Sequence, residues 1–342
     1  MIRWQVSGHH AAALAQPFPE TPKAWLPHAP FWRDEGLNMM RSIGLSMLAL
    51  MLCAAPDARA ACEGPVALQI LGSGGPIAEG SRAGASALVW RHGKAVLLVD
   101  AGSGAFVRYG EAGARFEDHA AIVITHFHAD HVADLDAILN SGSFSDRTEA
   151  LPVIGPSGSE YFPGMRDHLR ALIDPETGAY RYLSGYLDGT EGKARLVPMD
   201  IGPGAPAVVL DDPAQSLRVT AIPVEHGVVP ALAYLVEIAG KAIVFAGDQN
   251  AMSDGFVAAL AGRRPDMLVA HNVIPEGEGQ PRGLHRPPSS LGEMAAAINP
   301  RLLILSHNMQ RALVRQAEGE AAIREHYEGP MAVADDLACF RP

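Results

Sequence analysis

Three histidines and an aspartate stand close together in the segment Thr125–His131, which reads THFHADH. His126 and His128 are two residues apart, so on an extended segment their side chains project in the same direction. Asp130 and His131 open a predicted helix and can turn back toward the same point. Imidazole nitrogens and a carboxylate oxygen at this spacing are ligands for Zn²⁺ or another first-row metal ion. The segment predicts a metal site, and its lack of cysteine favours a catalytic over a structural one.

Apolar runs that read as strands lead into this segment and into three later candidates. The run 120–124 is wholly apolar, as expected of a buried strand, and ends at the histidine segment. Predicted strands also end just before His226, Asp248 and His307. A single histidine at the end of a strand is more often a surface or hydrogen-bonded residue. The evidence from each of these positions is therefore weak when it is taken alone.

The remaining pattern predicts layers of strands and helices. Strands are predicted over 66–71, 85–90, 94–99, 151–154, 217–224, 231–238, 242–245, 267–269 and 302–305. Helices are predicted near 132–139, 165–173, 256–260, 291–298 and 312–325. The two halves are similar in kind, which favours layered sheets with outer helices. We interpret the aromatic segment 157–200 as a variable lid or pocket wall, with a packed structural insertion as the alternative.

The composition indicates a folded, acidic protein. The chain has 342 residues, of which 48% are hydrophobic and 19% are charged. That content is enough to bury one large core or two modest ones. The formal net charge of −11 argues against a large basic face for nucleic acid.

The first 60 residues read as separate from the folded domain. We interpret residues 1–39 as a disordered upstream extension ahead of an initiator at Met40. Residues 40–60 have the order of a secretory signal peptide, with a basic start at Arg41, an apolar run over 43–55 and small residues around Arg59. That run is too short to span a bilayer. We therefore predict a periplasmic or secreted protein without a stable membrane anchor after cleavage.

Two cysteines remain in the predicted hydrolase domain, which spans residues 61–342. Export would place Cys62 and Cys339 in an oxidising compartment, where thiols can pair. Pairing depends on a geometry that the sequence does not give. A disulfide and two unrelated thiols are therefore equal alternatives.

The segment 125–131 resembles the HxHxDH motif of the metallo-β-lactamase superfamily, and the family's other positions follow in order along the chain. The resemblance covers about residues 66–335 and implies an α/β fold, the αββα sandwich of two mixed sheets flanked by helices. It implies two divalent metal ions, zinc or else manganese, that share a water whose hydroxide is the nucleophile. It also implies the ligands: His126, His128 and His226 for one ion, Asp130, His131 and His307 for the other, and a bridging Asp248. Asp130 would also orient the nucleophile.

Further matches favour the ribonuclease Z and phosphodiesterase branch. Asp248 argues against a true β-lactamase, because the main zinc classes lack the bridging aspartate. Asp100 matches an early aspartate that accepts a hydrogen bond from a ligand histidine. His285 matches a histidine credited with protonating the leaving group, a task that suits a pKa near the working pH. Arg311 matches a basic residue that can face a phosphate, whereas His271 stands where the branch carries a glutamate and is the rival acid.

The sequence therefore predicts a binuclear metal-dependent hydrolase of a phosphodiester or related anionic ester of a small molecule. Transfer RNA is not the expected substrate, because the chain is acidic, export is predicted and the basic arm that grips transfer RNA is not found. A lactonase or thioester hydrolase of the same superfamily is the alternative enzyme. A metal-binding protein without turnover is the alternative of another class, and the complete ligand set argues against it. The oligomeric state stays open, a dimer included.

Overall fold

Two seven-stranded sheets dominate residues 62–342, the part of the chain that the computed structural model describes. The strands are β1 (Val66–Gly72), β2 (Ser86–Arg91), β3 (Lys94–Val99), β4 (Ala121–Val123), β5 (Leu151–Pro156), β6 (Leu196–Ile201), β7 (Ala207–Asp212), β8 (Leu217–His226), β9 (Val229–Ile238), β10 (Lys241–Phe245), β11 (Met267–His271), β12 (Leu303–Ser306), β13 (Met331–Val333) and β14 (Cys339–Phe340). The helices are α1 (Ala105–Glu111), α2 (Ala129–Val132), α3 (Leu135–Gly142), α4 (Met165–Ile173), α5 (Asp254–Leu260), α6 (Pro288–Ile298), α7 (Gln310–Leu313) and α8 (Gln316–Arg324). Short 3₁₀ helices lie at Phe116–Asp118 and Arg181–Leu187.

The two sheets share one internal plan. The first has the order β14-β1-β2-β3-β4-β5-β6, and the second has the order β13-β12-β11-β10-β9-β8-β7. In each sheet, antiparallel pairs give way to a run of parallel strands, from β3 to β6 in the first and from β10 to β13 in the second. Parallel strands have their carboxyl ends at the same edge, where ligand sites in such sheets form. The predicted mixed sheets are therefore confirmed.

Apolar side chains form three layers around these sheets. Val123 and Tyr234 belong to the cluster between the two sheets, and both are fully buried. Leu135 belongs to the cluster between the first sheet and its helices. Phe256 and Leu291 belong to the corresponding cluster over the second sheet. Helices thus cover both outer faces, as the predicted αββα sandwich requires.

The predicted helix over 132–139 is broken in the structure. Its first part, α2, ends at Val132, and α3 starts only after Asp134, whose backbone is not helical. The cause is the loop that follows β3: the Ala101 amide donates to the carbonyl of His131, and the Ala101 carbonyl accepts from the amide of Asp134. These two hydrogen bonds fix the start of α2 against β3. They hold the histidine segment in place, and the helix is interrupted between α2 and α3 as a result.

Four strands were not predicted from the sequence, namely β6, β7, β13 and β14. In all four strands, most or all residues are half-buried or exposed. Their sequences therefore show neither a continuous apolar run nor a regular alternation of apolar and polar residues. Helix α1 is short and was also not predicted. The four strands complete the sheets at their edges, and all five elements lie outside the segments that carry candidate ligands.

The aromatic segment 157–200 divides into two parts. Residues 165–200 contain α4, a 3₁₀ helix and β6, and they bury Met165, Leu169 and Tyr186 in the core over the first sheet. This part is packed against the first sheet. Residues 157–164 have no regular structure, and the ring of Phe162 lies 5.8 Å from that of His128. This shorter part contacts the histidine cluster through Phe162.

The two ends of the described chain are joined. Cys62 and Cys339 form a disulfide with a Cα–Cα distance of 5.7 Å, and Cys339 lies in β14, which pairs with β1. The predicted upstream extension over 1–39 and signal peptide over 40–60 lie outside the described residues. Within residues 62–342, no helix is both long and apolar enough to cross a membrane.

Candidate metal centre

Candidate ligands follow the ends of strands from both sheets. In the first sheet, β3 is followed by Asp100, and β4 is followed by the segment 125–131. In the second sheet, the strands β8, β10, β11 and β12 end at or lead into His226, Asp248, His271 and His307. Because the two sheets pack face to face, these strand ends meet and bring the side chains into one cluster.

The first group of potential ligands consists of His126, His128, His226 and Asp248, whose ligand atoms all lie within 4.8 Å of one another. Nε2 of His126 and Nδ1 of His128 are 3.0 Å apart. Nε2 of His226 lies 3.4 Å from the same nitrogen of His128. This group contains all three histidines that the sequence predicted for one metal ion.

The second group consists of His131, Asp248, His271 and His307, again with ligand atoms within 4.8 Å. Nδ1 of His271 donates to Oδ1 of Asp248 over 2.5 Å, and its ring stacks on that of His307 at 4.7 Å. From the sequence, His271 was predicted to be the rival acid, whereas its position makes it a candidate ligand too. A histidine at the end of a central strand, 23 residues after Asp248, was the available signal.

Asp248 belongs to both groups, and its two oxygens face different histidines. Oδ2 lies 3.5 Å from Nε2 of His226 and 3.8 Å from Nε2 of His126. Oδ1 lies 3.7 Å from Nε2 of His307 and accepts the hydrogen bond from His271. The carboxylate is buried at 3% exposure. It is therefore placed to bridge two cations.

Asp130 lies beside the second group. Its Oδ2 accepts a hydrogen bond from Nε2 of His307 at 3.0 Å and lies 3.7 Å from Nε2 of His131. A Cβ added at Gly102 would collide with the backbone carbonyl of Asp130, so only glycine fits in the loop after β3 at this point. The predicted assignment of Asp130 as a ligand of the second ion stays a prediction.

Asp100 holds the start of the histidine segment. Its Oδ2 accepts from Nδ1 of His131 at 2.8 Å and from the hydroxyl of Thr125 at 2.8 Å, while Oδ1 accepts from the Thr125 amide at 2.6 Å. Asp100 has a left-handed backbone with φ of 57°, a conformation that aspartate tolerates better than most residues. The carboxylate therefore fixes which nitrogen of His131 faces the cluster.

Two other imidazole rings are also held by a hydrogen bond at Nδ1. Nδ1 of His226 donates to the carbonyl of Leu284 at 2.9 Å. Nδ1 of His126 lies 3.1 Å from the Thr125 hydroxyl, whose proton goes to Asp100. In both rings Nε2 is the nitrogen left to face Asp248. Sequence reasoning missed Thr125, although it directly precedes His126.

Neighbouring charges lower the pKa of the Asp248 carboxyl, whereas burial lowers the pKa of His126, His128 and His271. Burial alone would raise the pKa of Asp248, but His307 and the hydrogen bond from His271 hold it well below its usual value. Burial and the charge of His131 lower the pKa of His126 well below its usual value. His131 is the exception. Burial acts to lower its pKa, yet the Asp100 carboxylate raises the pKa of His131 to about 9. A cation that binds Nε2 of His131 must displace that proton.

His285 lies at the rim of the cluster. Its Nδ1 is 3.8 Å from Oδ2 of Asp248, and its ring centre is 5.3 Å from that of His226. The loop is anchored because Asn250 donates to the Gly283 carbonyl. Burial lowers the pKa of His285 to about 4, so the ring is neutral near pH 7 in the free protein. This corrects the expectation of a pKa near the working pH.

The opening loop after β1 covers His307. A Cβ at Gly75 would lie 2.5 Å from Cε1 of His307 and 2.7 Å from Sδ of Met309, so glycine is required there. The loop is held at its start by Asp336, which accepts from the amide and hydroxyl of Ser73. Arg311 lies on α7 nearby, and its Nε donates to the carbonyl of Val273 at 2.9 Å.

The donor set fits divalent metal ions. Each group offers three imidazole nitrogens and one carboxylate oxygen, which suit first-row cations. Nε2 of His131 is buried and has no hydrogen-bond partner among residues 62–342, although buried polar atoms normally have one. A cation held between the two strand-end clusters would satisfy this nitrogen. The residues therefore fit two cations that share Asp248.

Comparison with known proteins agrees with this geometry. A family model described as "Beta-lactamase superfamily domain" matches residues 96–308. "Ribonuclease Z" from Mycolicibacterium gilvum (strain PYR-GCK) is 30% identical over 287 residues, which cover 80% of this chain and 94% of that protein. The metallo-beta-lactamase fold protein YhfI from Bacillus subtilis aligns with a TM-score of 0.63 and 16% identity over 81% of this chain and 99% of that chain. The short form of human tRNase Z aligns with a TM-score of 0.60 and 19% identity over 80% of this chain and 98% of that chain.

The matched family range spans more than half of the chain and includes the segment 125–131, His226, Asp248 and His307. The solved structures share the two-sheet sandwich over nearly their whole length. The resemblance drawn from the sequence is therefore confirmed. The chain belongs to the metallo-β-lactamase superfamily and is a hydrolase of its ribonuclease Z and phosphodiesterase-like branch.

Proposed function

We propose that this protein is a binuclear metal hydrolase that cleaves a phosphodiester, or a related anionic ester, of a small molecule. The observation that carries the proposal is the position of Asp248. One oxygen of its carboxylate faces His126 and His226, and the other faces His271 and His307. A shared buried carboxylate between two histidine groups is suited to two cations a few ångströms apart, as in two-metal hydrolytic sites.

We assign His126, His128 and His226 to one ion and His131 and His307 to the other, with Asp248 between them. Zinc suits this mixture of imidazole and carboxylate best, and manganese is the alternative. His271 and Asp130 compete for the remaining place on the second ion. His271 already contacts Asp248, whereas Asp130 contacts His307. The residue that is not a ligand remains free to hold a proton or a water.

The chemistry that two divalent cations supply in such a site is activation of a water and polarisation of the ester. Hydrolysis of a phosphodiester forms a bond from the water oxygen to phosphorus and breaks the bond to the alcohol oxygen. Asp130, which lies beside His307, would accept a hydrogen bond from the attacking water and orient it. The alcohol oxygen leaves with a proton, which a side chain at the rim must donate unless the leaving group is already stable as an anion.

We propose His285 for that donation. It lies at the rim, and its ring contacts His226 without belonging to either ligand group. Its pKa of about 4 in the free protein is low for an acid. An anionic ester bound against the ring would raise that pKa, because a nearby negative charge favours the protonated form. The role therefore depends on bound substrate, and His271 is the rival donor.

A small-molecule substrate is supported by the acidic chain. The formal net charge of −11 opposes the approach of a long polyanion, whose binding depends on many lysine and arginine contacts. RNA is the second candidate substrate, because the curated relative named above is called ribonuclease Z. A lactone or thioester is the alternative small molecule, and metal binding without turnover is the alternative function.

We also propose that the protein is exported, with residues 40–60 removed. The order of basic, apolar and small residues in that segment supports export. The disulfide between Cys62 and Cys339 also suits an oxidising compartment. N-terminal sequencing of the protein from its native host tests this. A chain that starts near Ala61 agrees with the proposal, and an intact cytoplasmic chain contradicts it.

The test of the enzymatic proposal is a substrate panel with the purified, metal-loaded protein. The panel contains a phosphodiester, a sulfate ester, a lactone, a thioester, a β-lactam and a precursor transfer RNA. We expect the highest kcat/KM on the phosphodiester. Preferential turnover of the lactone or thioester would favour the alternative enzyme, and preferential cleavage of the RNA would overturn the small-molecule assignment.

A further inference from the structure

A cavity of about 290 Å³ lies beside the candidate metal centre. Its walls are the loop 156–159 after β5, the loop 201–203 after β6, and the hairpin 223–232 formed by β8 and β9. The first two belong to one sheet and the third belongs to the other. The cavity therefore opens where the two sheets meet.

The cavity and the metal centre share two of these walls. In the hairpin, Gly227 lines the cavity and the preceding residue, His226, belongs to the first ligand group. In the segment 157–164, Ser157 and Ser159 line the cavity, while Phe162 contacts the ring of His128. The cavity is therefore adjacent to the first ligand group.

The cavity has an apolar and slightly acidic lining. Of the described residues that line it, none is basic, and Glu225 is the only ionisable one. Two serine hydroxyls are its other polar side-chain groups, and prolines, glycines and aliphatic residues make up the rest. A second anionic group of a substrate would meet Glu225 without a cation to balance it, so the lining disfavours a polyanion.

We propose that this cavity binds an uncharged, apolar organic group of the ester substrate while the anionic ester group occupies the metal centre. The inference rests on the proposed function and names the substrate class for that site: an anionic ester with at least one hydrophobic arm. Val228, which is 72% exposed, lines the entrance and offers its apolar side chain to that arm.

The volume sets the size of the arm. An apolar cavity of about 150 Å³ is enough to hold benzene. The present cavity is about twice as large and suits a substituted ring or an alkyl chain of roughly six carbons. Each buried methylene group should raise the affinity about fourfold. A hexyl arm should therefore bind much more tightly than a methyl arm.

The test is calorimetric binding of methyl, butyl and hexyl phosphate to the metal-loaded protein. These monoesters carry one organic arm each, and binding is measured without turnover. We expect Kd to fall at least about tenfold from methyl to hexyl phosphate. In Ser157→Phe, which fills the cavity, and in Val228→Asp, which adds a charge at its entrance, this gain should shrink to about threefold or less while methyl phosphate binds as before. Val208→Asp, another exposed valine on the edge strand β7, is the matched control and should keep the full gain.

The outcomes separate the two proposals. Equal affinity for all three phosphates would overturn the cavity proposal and leave the phosphodiesterase proposal standing. An undiminished gain in both cavity variants would also overturn it, because the arm would then lie elsewhere. If none of the phosphates binds the metal-loaded protein, the phosphate-ester function itself fails, and the cavity proposal fails with it.

Discussion

Oδ2 of Asp100 lies 2.8 Å from Nδ1 of His131, and this hydrogen bond turns the other nitrogen of the ring toward Asp248. Nε2 of His131 is 3.9 Å from Oδ2 of Asp248 and is buried without a hydrogen-bond partner in the described part of the chain. A carboxylate behind the imidazole thus prepares one ligand nitrogen for a cation. Carboxylate partners of this kind fix the orientation and raise the basicity of metal-bound histidines.

Asp100→Asn should weaken metal binding without unfolding the protein. Asparagine tolerates the left-handed backbone at this position, but it removes the charge that supports His131. We expect metal affinity to fall by about 10–100-fold, as for other partners of ligating histidines. Competition with a chromophoric chelator measures this. Asp211→Asn, at an exposed ion pair with Arg218, is the control. Wild-type affinity in Asp100→Asn would show that the carboxylate has no such role.

His285→Ala should affect poor leaving groups most. An alkoxide needs a proton as it leaves, whereas a nitrophenolate does not, and a positioned acid contributes about 10²–10⁴-fold. The variant should keep its metals, lose much of its activity on an alkyl ester and lose little on a nitrophenyl ester. Assays of kcat/KM on two such phosphodiesters, with metal content measured in parallel, are required. Equal losses on both esters, or a lost metal ion, would assign His285 a different role.

His119 should make the fold sensitive to acid, far from the metal centre. Burial lowers the pKa of His119 to about 4, although its hydrogen bond to the Ala95 carbonyl acts in the opposite direction. In the unfolded chain the ring takes up a proton near its ordinary pKa of 6.5. The stability that the neutral ring contributes is therefore present above pH 6.5 and is lost as pH falls toward 4. Between pH 7.5 and pH 5 the loss should be about 2 kcal/mol.

Urea unfolding of the wild type and of His119→Gln at pH 7.5 and at pH 5 measures this loss of stability. Glutamine carries a donor for the Ala95 carbonyl and an acceptor for the Tyr109 hydroxyl, but it does not titrate. The variant should lose about 2 kcal/mol less than wild type on acidification. His326→Gln, at an exposed position, should behave as wild type. An identical pH dependence in His119→Gln would refute the assignment.

The disulfide should stabilise the domain by restricting its unfolded chain. Cys62 and Cys339 are separated by 277 positions, and a loop of that length contributes about 5.6 kcal/mol in the chain-entropy model. The free energy of unfolding in urea should fall by about that amount in the double variant Cys62→Ser, Cys339→Ser. Non-reducing peptide mapping of exported protein is the direct check. Two free thiols in that protein would remove the prediction.

The central strands could be predicted from the sequence because both of their faces are buried. The strands β4 and β12 are continuous apolar runs, and each leads directly into a candidate ligand, His126 or His307. Edge strands such as β6 and β7 gave no such signal, because most of their side chains are half-buried or exposed. The break between α2 and α3 could not be predicted either, since it depends on hydrogen bonds that His131 and Asp134 make with Ala101, which is distant in the sequence.

At the site, too, some features could be predicted from the sequence and others could not. The spacing within 125–131 and the family order located the members of the cluster, since these are local features. The contact between His271 and Asp248 and the low pKa of His285 arise from packing between strand ends and from burial. The sequence pattern does not give the distances between side chains that are far apart along the chain. The cavity beside His226 likewise exists only because two sheets meet there.

Metal stoichiometry of the wild type and of Asp248→Asn tests the central claim most directly. Elemental analysis of the purified, folded protein should give two divalent ions per chain in the wild type. Asp248→Asn should be folded by circular dichroism, depleted in metal and nearly inactive, because the carboxylate that faces both histidine groups has lost its charge. Full metal content and full activity in Asp248→Asn would contradict the binuclear centre.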